Sequence, residues 1–297
     1  LKAVSPGSLE EALEALAETP DLRPAAGCTD LLVTDGLGRA QMDRVLNLLS
    51  VLELRGIREV PGGEGAGVEI GATASFTALR RHPGIRERWP ALAAAAGVIG
   101  GWQIQNRATV GGNVCNASPA GDSLPVLLVL GATVRVAGPH RRREISYGTF
   151  HTGYRKTALR PGEIVTGFHL PLPAPDTVQR FCKVGTREAQ AISKVVVALS
   201  ARVEDETIRE LRLAAGSVAP TPIRLIAAEG EAAGQPPTPA TADRVAEAAA
   251  AAVTPIDDVR STADYRRFAL DRVVRRMVLS LGSAAAIQKR AAAGRRS

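Results

Sequence analysis

The chain has 297 residues, enough for about two domains of ordinary size. Hydrophobic residues make up 45% and charged residues 23%, which excludes a disordered chain; aromatics are only 3%, so Ala, Val, Leu and Ile must build the cores. The formal net charge of +7 suits an anionic ligand or an acidic partner, and no basic run interleaved with aromatics marks a nucleic-acid surface.

Ser8 with Glu11 three residues on reads as a capping box opening a helix with its acids outward over Glu10–Ala17. Pro24-Ala25-Ala26-Gly27 reads as a buried strand reaching a glycine turn, and Thr29-Asp30-Leu31-Leu32 enters a helical turn. Arg44–Leu48 reads as a strand. Ile57–Val60 and Val68–Ala72 are strands about a Pro-Gly-Gly turn, and Thr73 or Ser75 caps a helix towards Arg81. Pro90 to Gly97 is a small-residue helix. Gly100 to Asp122 is rich in Gly and Asn and shows little periodicity. An apolar helix over Leu124–Leu130 and a hairpin of Ala132–Val136 with Arg143–Ile145 follow, with Arg141-Arg142-Arg143 as its solvated tip. Glu163–Leu170 is a strand.

Pro171-Leu172-Pro173-Ala174-Pro175 is the expected domain boundary. Beyond it Gln179–Lys183, Val195–Val203 and Ile208–Ala214 alternate as three antiparallel strands. Helices are expected over Thr241–Ala252 and Tyr265–Leu281, then a frayed basic end from Gln288 through Arg295-Arg296. Cys28, Cys115 and Cys182 form no C-x-x-C pair and no iron–sulfur or zinc pattern, which suits a reducing compartment. No run of about twenty apolar residues and no signal-peptide pattern is visible.

Two segments carry chemistry. In Gln103 to Asp122, Gly111-Gly112 lets backbone N–H groups approach an anion, and Thr109, Asn113, Asn116 and Ser118 add neutral hydrogen-bonding groups. Asp122 is a carboxylate suited to ribose hydroxyls. This reads either as a loop around a phosphorylated cofactor or as a Gly/Asn-rich surface turn. In Pro24-Ala25-Ala26-Gly27-Cys28-Thr29-Asp30, a strand running into a glycine turn and a helix start suits a pyrophosphate. Neither segment is a G-x-G-x-x-G fingerprint or a P-loop. His82, His140, His151 and His169 show no catalytic or metal spacing.

Asn106 through Asp122 resembles the N-R-[AG]-[ST]-[IV]-G-G-N…N-[AG]-S-P-x-x-D signature of the flavoprotein subunits of the xanthine dehydrogenase and carbon monoxide dehydrogenase family. Ala26–Asp30, Ile70–Ala72, Phe181–Ser193 and Ser261–Arg267 match further family segments in order. The resemblance implies an α+β chain. Residues 1–172 would form a two-lobed FAD-binding domain of the vanillyl-alcohol-oxidase/PCMH type, with lobes of about 1–54 and 55–172. A C-terminal domain over 176–285 with a three-stranded antiparallel sheet and helices, and a tail over 286–297, would follow.

By that resemblance Pro24, Ala25, Ala26, Gly27, Cys28, Thr29, Asp30 and Leu31 lie along the FAD pyrophosphate. Thr109, Gly111, Gly112 and Asn113 form a second cradle, with Ser118 in the same signature, and Asp122 reaches the ribose of the adenosine half. Ile99, Gln103 and Val165 line the pocket, and Lys183 lies near the flavin unless it is an ordinary surface strand lysine. Trp102 either covers the flavin or packs between the lobes. Ala26-Gly27 stands where the family often has Gly-Gly, and Cys28 where it has His, Asn or Thr.

No residue reads as catalytic and none as a metal ligand. The implied function is an FAD-binding electron-transfer subunit of a cytoplasmic molybdenum hydroxylase, without nucleic-acid or membrane contacts. Its implied partners are a large molybdopterin subunit and a small subunit with two two-iron–two-sulfur clusters, and its acceptor is NAD or another carrier. The alternatives are a self-contained flavin oxidase or dehydrogenase of the vanillyl-alcohol-oxidase class and a non-enzymatic anion-binding protein.

Overall fold

A computed structural model describes residues 2–36, 43–63 and 65–293. The chain is α+β and divides into two compact units. The first comprises Leu1–Arg88, Leu92–Ser118 and Gly131–Leu172. It opens with strand β1 (Lys2–Val4), helix α1 (Leu9–Glu18), β2 (Arg23–Ala25), α2 (Leu31–Gly36) and β3 (Arg44–Asn47), and the three strands form a parallel sheet in the order β1-β3-β2. The Ser8 hydroxyl accepts the Glu11 N–H, and the Glu11 carboxylate accepts the Gly7 N–H, so both ends of the capping motif serve the start of α1. Leu9, Ala12, Leu13 and Leu16 recur at helical spacing and bury with Leu46, Leu48 and Leu54.

The same unit continues with β4 (Ile57–Val60), β5 (Gly67–Gly71), α3 (Phe76–Arg81), α4 (Pro83–Arg88), α5 (Pro90–Gly97), α6 (Trp102–Arg107) and α7 (Val110–Asn116). After α8 (Leu124–Val129), which belongs to the second unit, come β6 (Thr133–Ala137), β7 (Arg142–Ser146), β8 (His151–Gly153), β9 (Lys156–Thr157) and β10 (Ile164–Pro171). An antiparallel sheet runs in the order β4-β5-β10-β6-β7, and β8 pairs with β9 as a separate hairpin. Ser75, not Thr73, caps α3 by accepting the Ala78 N–H.

The second unit comprises Trp89–Ala91, Pro119–Leu130 and Pro173–Ser297. Strands β11 (Val178–Val184), β12 (Val195–Glu204), β13 (Thr207–Gly216) and β14 (Ile223–Arg224) form one antiparallel sheet, followed by α9 (Ile226–Ala232), α10 (Pro239–Ala251) and α11 (Ala263–Ala293). Val195, Val197, Leu199, Ala201 and Val203 alternate along β12 into a core shared with Val245, Ala249, Leu270, Val274 and Leu281. The intervening Val196 and Ala198 are also buried, because apolar α8 packs on this sheet. Burial on both faces explains the unbroken apolar run of β12. Each fully buried Val or Leu contributes about 1.5–3 kcal/mol relative to exposure. Among the described residues no helix is long and apolar enough to cross a membrane.

Several expectations need correction. Gly100 to Asp122 is not irregular; it contains α6 and α7. The strand before Gly27 is not buried, for Arg23 and Pro24 are exposed and only Ala25 is covered. The C-terminal sheet has a fourth strand, the two-residue β14. Arg143 is no solvated tip: it lies in β7 and grips Glu163 bidentately at 2.9 and 2.7 Å, and this guanidinium holds the Glu163 carboxyl below its usual range. Helix α11 carries the chain to Ala293, so Gln288-Lys289-Arg290 are helical; Arg295 and Arg296 lie outside the described residues.

Arg266 is the main buried cation of the second unit, 3% exposed. It donates to the Lys194 carbonyl at 2.6 Å and the Ser217 carbonyl at 3.0 Å and pairs with Asp258 at 2.8 Å. Arg266→Leu strips all three acceptors at once. We expect urea denaturation of the variant to show a loss of about 3–5 kcal/mol, with Arg266→Lys recovering only part of it.

Candidate cofactor site

The first candidate segment joins β2 to α2. Gly27 is required there: a Cβ would lie 1.9 Å from the Arg107 carbonyl oxygen and 2.6 Å from its carbon. Main chain thus lies flat against main chain at the end of α6. Cys28 follows in the left-handed region at φ 59, and the Cys28 carbonyl accepts the Leu32 N–H to start α2. Among the described residues the N–H groups of Gly27, Cys28, Thr29 and Asp30 have no hydrogen-bond acceptor. Consecutive donors about a left-handed residue are a backbone arrangement that suits an anionic group. A diphosphate fits this turn on donor chemistry.

The second segment is organised differently. Thr109 caps α7 by accepting the Gly112 N–H at 3.1 Å. The Gly111 N–H donates to the Ala72 carbonyl at 2.8 Å and the Val110 N–H to the Ala74 carbonyl at 3.0 Å. A Cβ on Gly111 would lie 2.7 Å from the Ala72 oxygen. The expectation that Gly111-Gly112 offers free donors is therefore corrected: the Gly111 N–H docks α7 onto the end of β5, and the Gly112 N–H is taken by the Thr109 cap of α7 itself. The Thr109 hydroxyl and the half-buried Asn113 remain the polar groups of this segment.

The other expected residues lie on several elements. Ile99 is buried after α5, Gln103 is exposed on α6, and Ser118 is half-buried beyond α7. Val165 is buried in β10 beside a bulge. Trp102 is 66% exposed and lies beneath the Arg80 guanidinium, 5.0 Å from the ring centre, so it is not packed between lobes. Within this unit Arg155, absent from the expected set, donates to Asn116 at 3.0 Å and lies 3.8 Å from Asp30.

In the second unit the structure brings Asp122 and Lys183 together. Lys183 Nζ donates to Asp122 Oδ2 at 2.6 Å, and the buried Ser193 hydroxyl donates to Oδ1. Both side chains of the ion pair are 8% exposed, so Lys183 is not an ordinary surface strand lysine. Burial pushes the Asp122 carboxyl above its usual range, against the opposing charge and hydrogen bonds of Lys183 and the bond from Ser193. The pairing joins residues 61 apart, which no spacing rule in the sequence reveals.

Comparison with known proteins decides the family. Residues 1–173 match the FAD binding domain in molybdopterin dehydrogenase, and residues 180–281 match the CO dehydrogenase flavoprotein C-terminal domain. The chain belongs to the molybdenum hydroxylase flavoprotein family. It is 32% identical over 279 residues to a putative xanthine dehydrogenase FAD-binding subunit of Escherichia coli strain K12, covering 94% of each chain. It is 30% identical over 273 residues to the carbon monoxide dehydrogenase medium chain of Hydrogenophaga pseudoflava, covering 92% of this chain and 93% of that one. A solved structure of carbon monoxide dehydrogenase from the same organism superposes with a TM-score of 0.88 at 30% identity, covering 93% of this chain and 95% of that one. The flavoprotein subunit is thus the FAD-binding component of an oxidoreductase, and the self-contained oxidase reading is set aside.

Two variants probe the geometry. Gly27→Ala forces a carbon into backbone that cannot yield, so it should destabilise by about 1–3 kcal/mol and lower the bound flavin. Gly230→Ala in α9, whose Cβ meets nothing within 4 Å, serves as the control and should be neutral or stabilising in thermal melts. Lys183→Met leaves the Asp122 carboxylate buried without its cation, a loss of about 3–5 kcal/mol at neutral pH. The folded-state pKa of Asp122, already raised, then rises further, so protonation on acidification favours the folded variant. Its deficit against the parent chain should shrink as pH falls towards the ordinary value of 3.8, measured by urea midpoints across that range.

Proposed function

We propose that the flavoprotein subunit takes electrons from the two iron–sulfur clusters of a small partner subunit and passes them through FAD to NAD or another carrier, while a large molybdopterin partner performs the hydroxylation. The observation that carries the cofactor half is the row of four unpaired N–H groups from Gly27 to Asp30. When bound, FAD supplies the exchange between one-electron and two-electron transfer.

The residues of the chain then have defined tasks. Gly27, Cys28, Thr29 and Asp30 hold the diphosphate by backbone donation, with Pro24, Ala25 and Ala26 leading into the turn and Leu31 leaving it. The Thr109 hydroxyl and Asn113 supply the neutral contacts of the second segment, with Gly111 and Gly112 setting its backbone and Ser118 following. Ile99, Gln103 and Val165 are assigned to the pocket lining on the family pattern. Asp122 and Lys183 are assigned to the ribose and flavin on the same pattern; each Asp122 oxygen keeps a lone pair beyond its present bond for a hydroxyl donor.

The partner assignments follow from the cysteines as well as from the relatives. Cys28, Cys115 and Cys182 are free thiols far apart in sequence, whereas a two-iron–two-sulfur cluster needs four converging thiolates. Free thiols also suit a cytoplasmic setting. Relatives named for xanthine and for carbon monoxide share this subunit's sequence to a similar degree, so substrate choice is assigned to the molybdenum partner.

The test is reconstitution. Purified alone, the chain should carry acid-releasable FAD at one per chain, and a hydroxylase substrate should leave its absorbance unchanged. Co-purified with both partners, the same substrate should bleach the flavin, and added NAD should restore the colour while NADH forms. Bleaching of the isolated chain by substrate would overturn the reading of an electron-exit subunit. Recovery with a quinone but not with NAD would reassign the acceptor.

A further inference from the structure

A small hairpin that the cofactor motifs do not include touches both cofactor segments. Its strands are β8 and β9, and Tyr154 and Arg155 form its tip. His151 at its base places Nε2 3.0 Å from the Val114 carbonyl of α7, with its ring edge-on to Tyr147 and Phe150 at 5.4 and 5.3 Å. Burial holds this imidazole below its ordinary pKa, against the hydrogen bond to Val114, so the ring is neutral and donates from Nε2. Arg155 at the tip donates from Nη1 to Asn116 Oδ1, where α7 ends, and lies 3.8 Å from Asp30 Oδ2, where the row of free donors ends.

Three non-glycine residues adopt the left-handed region at these segments: Cys28 at φ 59, Ala117 at φ 48 and Arg155 at φ 52. Such conformations persist where surrounding contacts dictate them, and they concentrate at functional sites. The fold itself gains little from the Arg155 contacts, because both side chains of the Asp30 pair are nearly half exposed. The charge arrangement is more telling. A dianion on the donors of Gly27 to Asp30 would share the last of those residues with the Asp30 carboxylate, and like charges so placed would oppose binding. Arg155 is the cation placed to cancel it.

We propose that Arg155 is a positioning residue for the diphosphate of the cofactor, neutralising Asp30 and tying the first loop to the C-terminal end of α7. The inference rests on the reading of Gly27 to Asp30 as the diphosphate turn. The ligand class is a dinucleotide diphosphate, and the hairpin is the third chain segment that shapes its site.

The test compares FAD affinity and apo-protein melting in the full chain for Arg155→Gln, Arg155→Lys, Asp30→Asn and the Arg155→Gln/Asp30→Asn double variant. Arg155→Gln should weaken FAD about tenfold, the scale of one charge-assisted contact, while the apo melting temperature holds. Arg155→Lys should recover part of the affinity. Removing the carboxylate in the double variant should recover most of it, because no repulsion remains for Arg155 to cancel. Unchanged affinity in Arg155→Gln, with flavin still lost in Gly27→Ala, would overturn the proposal. So would a fall in apo stability that tracks the affinity loss, or a double variant no better than Arg155→Gln. If Gly27→Ala also binds FAD normally, the diphosphate turn itself is misassigned and the proposal fails with it.

Discussion

Gly27 can lie against the Arg107 carbonyl only because it has no Cβ, and the placement of the first loop follows from that contact. A side chain there would push β2 and α2 away from the junction between α6 and α7. That junction is fixed in turn by a second contact of the same kind, Gly111 against Ala72 at the end of β5. Two main-chain contacts therefore run in series from the parallel sheet to the antiparallel one. Main-chain contacts have no rotamers to order, so they hold a loop more rigidly than side chains of equal area do. In a chain with 3% aromatics, few large side chains are available to do this otherwise.

The two glycine-bearing segments differ in what they leave unsatisfied. A backbone donor that is buried must find an acceptor, and those of Val110 and Gly111 do so inside the protein, while the exposed Gly112 donates to its own helix cap. The donors from Gly27 to Asp30 sit on half-buried or exposed residues, where water can serve them until an anion displaces it. A Gly-Gly pair is therefore no guide by itself to an anion cradle. At Gly111 the missing Cβ admits the Ala72 backbone at the end of β5.

Much of this was legible in the sequence for physical reasons. Ser8 and Glu11 announce α1 because both capping partners lie within four residues, and β12 and β13 are announced by the apolar side chains they send into a core. The signature from Asn106 to Asp122 identifies the family, but its secondary structure was hidden. Helices α6 and α7 span six and seven residues, less than two full turns, so no apolar repeat can emerge, and Gly111-Gly112 argues against a helix on propensity. Strand β14 has two residues and no period at all. Arg155 gave no signal either, since a left-handed arginine looks like any other in sequence and its partners lie 39 residues away at Asn116 and farther still at Asp30.

The Asp122 cluster shows what a buried charge provides when its net contribution to stability is small. Removing a carboxylate from water is costly, and the raised pKa of Asp122 is the sign of that cost. Lys183 and Ser193 offset it, and they flank the connection between β11 and β12. Gripped by one carboxylate, the two ends of that connection meet at a fixed neck. The Lys194 N–H closes the neck onto the Val184 carbonyl at 2.8 Å, and Arg266 from α11 holds the Lys194 carbonyl. Residues 186–190 beyond the neck are exposed. An apolar replacement of similar volume would bury comparable area without directing where the loop begins and ends. The ion pair is therefore better understood as specifying the position of this loop than as strengthening the core, which the valines of β12 already supply.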